Sequence, residues 1–85
     1  MTYFTYILET INSKNKIAYY TGSTNNLEKR VKLHKAGRGA KFCKGKKLRL
    51  VYYETFKTRG EAMKRENKIK TFSKNKKIKL IKGEN

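Results

Sequence analysis

The sequence contains no proline and no aspartate, and its 85 residues include one cysteine and one histidine. A single cysteine, Cys43, cannot form an intramolecular disulfide, and no set of residues has the spacing of a zinc finger. Without aspartate, a nuclease site in which clustered carboxylates hold two metal ions is difficult to assemble. We therefore expect neither a disulfide scaffold nor a structural metal site.

Long apolar segments are missing as well. No run in the sequence approaches the ~20 apolar residues that a membrane-spanning helix requires. The first eight residues, MTYFTYIL, have neither the charged leader nor the apolar stretch of a targeting signal. These features predict a cytoplasmic protein with no membrane partner.

Positive charge is the most pronounced feature of the sequence. Lysine and arginine number 23 against 6 acidic residues, which gives a formal net charge of +17. The natural partner of such a chain is a polyanion, because neutralising phosphates and releasing their counterions supplies much of the affinity for nucleic acid. An anionic membrane would instead require a strongly amphipathic helix, which the sequence lacks. Size and charge alone favour a non-catalytic nucleic-acid-binding protein of ribosomal or chromatin type.

The chain length predicts one domain over residues 1–85 with a single small core, and apolar clusters along the whole chain favour a folded domain over a basic tail. Residues 3–9 and 16–22 are rich in aromatic and β-favouring types and predict a hairpin closed by a polar turn. Residues 48–56, LRLVYYETF, predict a third strand. The expected class is α/β of the α+β type, with a small, mainly antiparallel sheet flanked by helices.

Three helices are predicted from their starting residues. Asn25, followed three residues later by Glu28, has the pattern of a capping box and starts a helix over residues 26–36, which Gly37 would end. Thr58 and Glu61 form a second such pair and begin a helix that continues to about residue 70. Ser73 caps a last short helix, and the predicted order is ββαβαα.

Polar residues occur where these helices should face the core. Arg30 and His34 share one side of the first helix with Leu27 and Val31, at spacings of three, four and seven. On the second helix, Glu66 lies between the apolar positions predicted to face the core, which are Ala62, Met63 and Ile69.

Burying an unpaired charge costs several kcal/mol, so we expect these groups either to pair or to line a functional cleft. A structural Arg30–Glu66 salt bridge and a satisfied half-buried His34 are the simpler alternatives. Three such groups from two helices are also what a phosphate-handling site requires.

Two strand tyrosines complete the candidate site. Tyr6 and Tyr20 could stand on the same face of the hairpin, and Gly22, two residues after Tyr20, would leave open space beside it. Plain packing of tyrosines in strands is the simpler explanation of this pattern.

An ordered series of motifs resembles the GIY-YIG nuclease superfamily, and within it the small stand-alone UPF0213, or YhbQ-like, branch. The series consists of FTYIL at residues 4–8, YTG at 20–22, LEKRVKLH at 27–34, GRGAKF at 37–42, LVYYE at 50–54 and EAMKRENKIK at 61–70. In the first motif, Phe4 and Thr5 stand where the family has glycine and isoleucine, and the tyrosine is kept as Tyr6.

The resemblance implies a DNA endonuclease that hydrolyses phosphodiester bonds, with DNA favoured over RNA and no small-molecule cofactor. Its implied catalytic residues are Tyr6, Tyr20, Arg30, His34 and Glu66, with Gly22 as a structural part of the second motif. One divalent metal, Mg²⁺ or Mn²⁺, would be held by Glu66.

The implied base is Tyr6, whose pKa would have to fall below its usual ~10, through Arg30 or metal-bound water. His34 could share the base role or orient Tyr20. A family member that binds DNA without cutting it is a third possibility.

The glycine-containing loop after the first helix is strongly basic. Its candidate nucleic-acid contacts are Arg38, Lys41, Lys44, Lys46 and Lys47. A solvated basic loop explains such a charge run equally well. The sequence gives no indication of the oligomeric state.

Overall fold

Three antiparallel strands form the sheet in the computed structural model, which describes residues 1–83. The strands are β1 (Tyr3–Ile11), β2 (Ile17–Thr24) and β3 (Lys47–Phe56), and they lie in the order β2-β1-β3. The central strand β1 pairs with both neighbours along its length. The predicted hairpin and third strand are confirmed, although β1 and β2 each end two residues later than the sequence pattern suggests.

Three α-helices follow the predicted order ββαβαα: α1 (Leu27–Lys35), α2 (Arg59–Lys70) and α3 (Lys74–Ile81). The loop between α1 and β3 also contains one turn of 3₁₀ helix, Lys41–Cys43, which the sequence analysis does not predict. Among residues 1–83, no helix is long and apolar enough to cross a membrane.

The start of α1 differs by one residue from the prediction. The side chain of Asn26, not of Asn25, accepts the backbone N–H of Lys29 at 3.1 Å and caps the helix. Glu28 does not close a capping box and instead forms an exposed ion pair with Lys32. The other predicted caps are confirmed, since Thr58 and Ser73 accept the N–H groups at the starts of α2 and α3.

The two longer helices lie on opposite faces of the sheet. On one face, Tyr6 and Leu8 of β1 are fully buried and pack with Leu27 and Val31 of α1. On the other, the hydroxyl of Thr5 donates a 2.6 Å hydrogen bond to the carbonyl of Ala62 in α2. Successive residues of β1 thus serve opposite faces, as the alternation of side chains along a strand requires.

Candidate functional site

A buried tyrosine and a buried histidine form the centre of the site. Tyr6 is 0% exposed and His34 is 2% exposed, and the Tyr6 hydroxyl lies 3.0 Å from Nε2 of His34. The prediction that His34 points into the core is therefore confirmed. Its other ring nitrogen, Nδ1, accepts the backbone N–H of Ala40 at 3.2 Å, so both polar atoms of this buried ring are satisfied.

Tyr20 stands on the same face of the sheet as Tyr6. The centroid of its ring is 6.4 Å from that of Tyr6 and 5.2 Å from that of His34, and the Tyr20 and His34 rings meet edge to face. Gly22 pairs with Tyr6 across the hairpin, and a Cβ atom added there would lie 2.5 Å from the Tyr6 hydroxyl oxygen. The space beside Tyr20 that the sequence predicts at Gly22 is occupied by the tip of Tyr6.

Arg30 departs from its predicted orientation. Arg30 is exposed instead of buried against the core, because a guanidinium on the flank of a short helix can reach water at no desolvation cost. It lines a groove of about 210 Å³ together with Ser23 and Arg59. Burial raises the pKa of Tyr6 and of Tyr20 and lowers that of His34, and the charge of Arg30 opposes the first two shifts and adds to the third, so the guanidinium lies within electrostatic reach of all three.

Both carboxylate oxygens of Glu66 have partners. The hydroxyl of Ser23 donates to Oε1 at 2.6 Å, and Nζ of Lys70, one turn further along α2, lies 2.7 Å from Oε2. The alternative of a structural Arg30–Glu66 salt bridge is therefore wrong, since the ion pair of this carboxylate is with Lys70. Glu66 is half-buried between its predicted apolar neighbours, of which Ala62 is buried.

One residue on the predicted apolar side of α2 is not buried. Ala62 and Ile69 are buried as expected, whereas Met63 is 47% exposed. Met63 lines the groove with Arg30. This helix therefore presents a narrower apolar stripe than the sequence pattern suggests.

Burial governs the pKa values of the site. It raises the pKa of Tyr6 well above the ordinary value of 10.0, and the neighbouring Tyr20 raises it further, whereas Arg30 lowers it by less. Burial also raises the pKa of Tyr20. Burial and then the charge of Arg30 lower the pKa of His34 below 6.5. Of the two sources expected to lower the Tyr6 pKa, Arg30 is therefore insufficient, because desolvation of the phenolate outweighs one solvent-exposed guanidinium, and metal-bound water stays a prediction.

The donor atoms at the site suit one hard divalent cation. Among residues 1–83, no three His, Cys, Asp or Glu side chains are grouped closely enough to hold a metal ion. Glu66 supplies one carboxylate, and its counter-ion is the half-exposed ammonium of Lys70. Mg²⁺ and Mn²⁺ are commonly bound by one or two carboxylates, with water and phosphate oxygens completing the shell. The residues therefore fit such a cation and do not fit a zinc site.

The basic loop runs directly beside the buried histidine. Its residues Gly39 and Ala40 contact the His34 ring, and Cys43 anchors the loop in the core. The predicted nucleic-acid contacts Arg38, Lys41, Lys44 and Lys47 are exposed, and Lys46 is half-buried. The predicted contacts thus all lie in or directly after the loop that packs against the buried histidine.

Several residues of the site escape the sequence analysis. Ser23 and Lys70 contact Glu66, and Arg59 lines the groove with Arg30. The contact of Lys70 could have been predicted from the sequence, because Lys70 follows Glu66 by four residues, which is the spacing of a helical ion pair. The contact from Ala40 is made by a backbone N–H, which every residue except proline carries, and so has no sequence signature.

Comparison with known families gives one match that spans nearly the whole chain. The family described as GIY-YIG catalytic domain matches residues 2–79.

Similar proteins carry a family name without a stated function. A UPF0213 protein of Staphylococcus haemolyticus is 51% identical over 63 residues, which cover 73% of this chain and 77% of that protein. A UPF0213 protein of Staphylococcus saprophyticus is 52% identical with the same coverage. A UPF0213 protein of Clostridium perfringens is 51% identical, over 73% of this chain and 68% of its own length.

A solved structure has the same fold. The solution NMR structure of a UPF0213 protein from Bacillus halodurans superposes with a TM-score of 0.55 at 34% sequence identity. The match covers 96% of this chain and 84% of that protein. The resemblance inferred from the sequence motifs is thus confirmed by both sequence and structure.

Proposed function

This chain belongs to the GIY-YIG family, an endonuclease superfamily, and from that premise we propose that it is a metal-dependent endonuclease hydrolysing phosphodiester bonds of DNA. The observation that carries the proposal is the buried Tyr6–His34 hydrogen bond, with Arg30 and Glu66 within electrostatic reach of Tyr6. Titratable groups whose pKa values are shifted by burial and by specific neighbouring charges are concentrated at functional sites, which favours a functional role for this pair over plain packing. Such an activity would serve DNA repair, recombination or processing.

The groove supplies a place for the substrate phosphate. Arg30 and Arg59, two of the five arginines, line it with Ser23, whose hydroxyl contacts Glu66. A guanidinium presents a fork of donors that matches two phosphate oxygens and stabilises charge that develops on them. A strand bound here would have its scissile phosphate between Arg30 and Glu66, and its flanking phosphates within reach of the basic loop.

Tyr6 is the proposed proton acceptor for the attacking water. The water oxygen forms a bond to phosphorus, its proton passes to the ionised Tyr6 oxygen, and the phosphorus–oxygen bond to the leaving strand breaks while the leaving oxygen takes a proton from solvent water. The Tyr6 hydroxyl is protonated at neutral pH in the free protein, because burial raises its pKa. It must therefore release its proton to solvent water as the substrate binds, and Arg30 favours the phenolate that remains.

Glu66 is the proposed ligand of the divalent cation, and Ser23 orients its carboxylate by donating to Oε1. When bound, Mg²⁺ or Mn²⁺ would supply positive charge that stabilises the leaving oxygen and favours ionised Tyr6. Lys70 would give up its contact with Oε2.

A second candidate function is binding of nucleic acid without cleavage. The net charge of +17 explains binding by itself, and the raised pKa of Tyr6 opposes its use as a base. Under this alternative the Tyr6–His34 pair would be a remnant of the family's site.

A cleavage assay decides between the two functions. Single-stranded, duplex and branched DNA and a matched RNA are incubated with the protein and Mg²⁺, Mn²⁺ or a chelator, and binding is measured in parallel. Metal-dependent cleavage that Tyr6→Phe and Glu66→Gln remove, with binding retained, supports the endonuclease. Binding to every substrate without cleavage under any of these conditions would overturn it and support the second candidate.

A further inference from the structure

The histidine ring is held through both nitrogens, and one of its two partners has a fixed role. Nδ1 faces the backbone N–H of Ala40 at 3.2 Å, and Nε2 faces the Tyr6 hydroxyl at 3.0 Å. A backbone N–H can only donate, so Nδ1 must be the unprotonated nitrogen of the neutral ring. From these two contacts we propose that Ala40 locks His34 with its proton on Nε2, which makes His34 a hydrogen-bond donor to Tyr6 and a positioning residue, not the base.

The neighbouring glycine keeps the ring in this orientation. A Cβ atom added to Gly39 would lie 2.1 Å from Nδ1 and 2.6 Å from Cε1 of His34, so the loop backbone is pressed against the imidazole. The ring is 2% exposed, and it has no room to turn over and present carbon atoms to its partners. Gly39 and Ala40 together, both in the loop after α1, therefore fix the orientation and the protonated nitrogen of His34.

This arrangement decides which groups can move a proton at the site. Nε2 already carries a hydrogen and cannot take one from Tyr6, while Nδ1 is closed off by Ala40. The Tyr6 oxygen accepts a hydrogen bond from His34, so its own proton points away from the ring. Burial and the charge of Arg30 both lower the pKa of His34, which keeps the ring neutral near pH 7. Tyr6 is then the only base of the pair, and the His34 N–H stabilises its phenolate.

The protonated nitrogen can be observed directly, because His34 is the only histidine in the chain. A long-range proton–nitrogen correlation spectrum of the ring will contain signals from one imidazole. We expect Nε2 to resonate as the protonated nitrogen and Nδ1 as the unprotonated one at pH 7. A spectrum with the proton on Nδ1, or with a rapidly exchanging mixture, would overturn the proposal.

The role of Ala40 is tested by removing its N–H without adding atoms. Replacing Ala40 by L-lactic acid turns the amide into an ester, and chemical ligation at Cys43 allows both this chain and an all-amide control to be assembled identically. The ester chain should lose the single Nε2-protonated form, whereas the control should keep it. Retention of that form in a folded ester chain would show that Ala40 does not fix it. If the ester chain fails to fold, the wild-type spectrum decides the proposal.

A cleavage experiment tests the consequence for catalysis, which rests on the proposed function. His34→Gln keeps an N–H donor and His34→Leu removes it, so we expect Leu to lower kcat about tenfold more than Gln, with DNA affinity unchanged in both. His34→Gln should also keep the wild-type dependence of kcat on pH. Equal losses in both variants, together with a lost acidic limb in the pH profile, would assign the base role to His34 and overturn the proposal.

The two proposals can fail separately. A protein that never cleaves but shows the proton on Nε2 disproves the endonuclease and leaves the locked histidine in place. A protein that cleaves DNA but shows the proton on Nδ1 supports the endonuclease and disproves the locked histidine.

Discussion

The hydroxyl of Tyr6 and Nε2 of His34 lie 3.0 Å apart in the centre of the protein, and almost no surface of either side chain reaches water. The two residues come from different elements, β1 and α1, so their hydrogen bond joins a strand to a helix. Because the bond is formed in the absence of substrate, the stability of the protein should report on it as directly as its activity.

The pH dependence of folding should reveal the buried imidazole. The pKa of His34 lies below 6.5 in the folded protein, so the unfolded chain binds a proton first as pH falls. The free energy of unfolding should therefore fall as pH decreases from 6.5 towards the lower folded value. Urea denaturation at pH 5 to 7.5 measures this effect. The pKa of Glu54 is also lowered, but this carboxyl changes the free energy of unfolding mainly below pH 4.5, outside the range of the experiment.

A control variant isolates the histidine in that experiment. His34→Gln should show a nearly flat free energy of unfolding between pH 5 and 7, whatever its absolute stability. A slope equal to that of the wild type would mean that another group is responsible.

Adding one methyl group at Gly22 should displace the tyrosine that the site depends on. The new Cβ would lie 2.5 Å from the hydroxyl oxygen and 2.7 Å from Cζ of Tyr6, a buried ring with no space to retreat. Overpacking of this kind costs about 1–3 kcal/mol. We expect Gly22→Ala to destabilise the protein by that amount in chemical denaturation and to abolish any cleavage.

The matched substitution is Gly60→Ala in α2, where a Cβ would meet no atom within 4 Å. It should stabilise the protein by about 0.4–1 kcal/mol, because alanine restricts the unfolded chain more than glycine does. Similar losses of stability in both variants would refute the close contact at Gly22.

Removing Lys70 should help a divalent cation to bind. Its ammonium lies 2.7 Å from Oε2 of Glu66, and this contact raises the pKa of Lys70. Because the lysine is half-exposed and such i,i+4 pairs contribute only about 0.3–0.5 kcal/mol, we expect Lys70→Met to tighten Mn²⁺ binding roughly twofold. Calorimetric titration with Mn²⁺ in the absence of DNA gives the comparison.

Lys68→Met on the same helix removes an equal charge without touching Glu66. It should change the Mn²⁺ affinity less than Lys70→Met does. If the two variants behave alike, the effect is one of general charge and Lys70 does not compete with the metal.

Neutralising the basic loop should weaken DNA binding and flatten its dependence on salt. The variant replaces four lysines by glutamine: Lys41, Lys44, Lys46 and Lys47. For every phosphate on duplex DNA that the variant no longer neutralises, the slope of log affinity against log salt should decrease in magnitude by roughly 0.9. Fluorescence anisotropy over a range of salt concentrations measures that slope.

The control for the loop carries four glutamines elsewhere on the surface. Its substitutions are at Lys14, Lys16, Lys57 and Lys64, all exposed and outside the loop. A dedicated role of the loop in binding predicts a larger decrease of slope in the loop variant. Equal decreases in the two variants would favour a solvated loop that contributes only general charge.

The fold was predictable because its elements carry local signals. Thr58 and Ser73 begin their helices through side-chain oxygens, and the alternation of buried and exposed positions is a local property of each strand. The start of α1 was misplaced because Asn25 and Asn26 are equally good caps. The hydroxyl of Thr24 accepts the N–H of Asn26 and selects the second asparagine, which the residue pattern does not reveal.

The site was predictable only in part. His34 and Tyr20 take the positions expected from helical and strand periodicity, but Arg30 on the flank of α1 turns to solvent instead of the core. The contact of Glu66 with Ser23 depends on how far α2 stands from β2, and no periodicity encodes that distance. The same holds for the pKa of Tyr6, because burial depends on the whole packed structure.

Phe4 and Thr5, which replace the glycine and isoleucine of the family motif, have evident structural contacts. The ring of Phe4 packs edge to face against Tyr53 at 5.9 Å, and Thr5 donates to the carbonyl of Ala62. Ala62 precedes Glu66 by one helical turn. Thr5 therefore fastens α2 to β1 directly beside the strand position that carries Tyr6.

The hydrogen bond between Thr5 and Ala62 helps to set the relative positions of the two helices that carry the candidate site. Thr5 ties β1 to the helix of the proposed metal ligand, and the next residue, Tyr6, ties it to the helix of the histidine. The proposed proton acceptor and the helix of the proposed metal ligand are therefore both attached to β1 through two consecutive residues at the middle of the sheet. Local opening of the edge strand β3 would leave both of these hydrogen bonds in place, so that edge can open while the Thr5 and Tyr6 contacts keep the two helices in position.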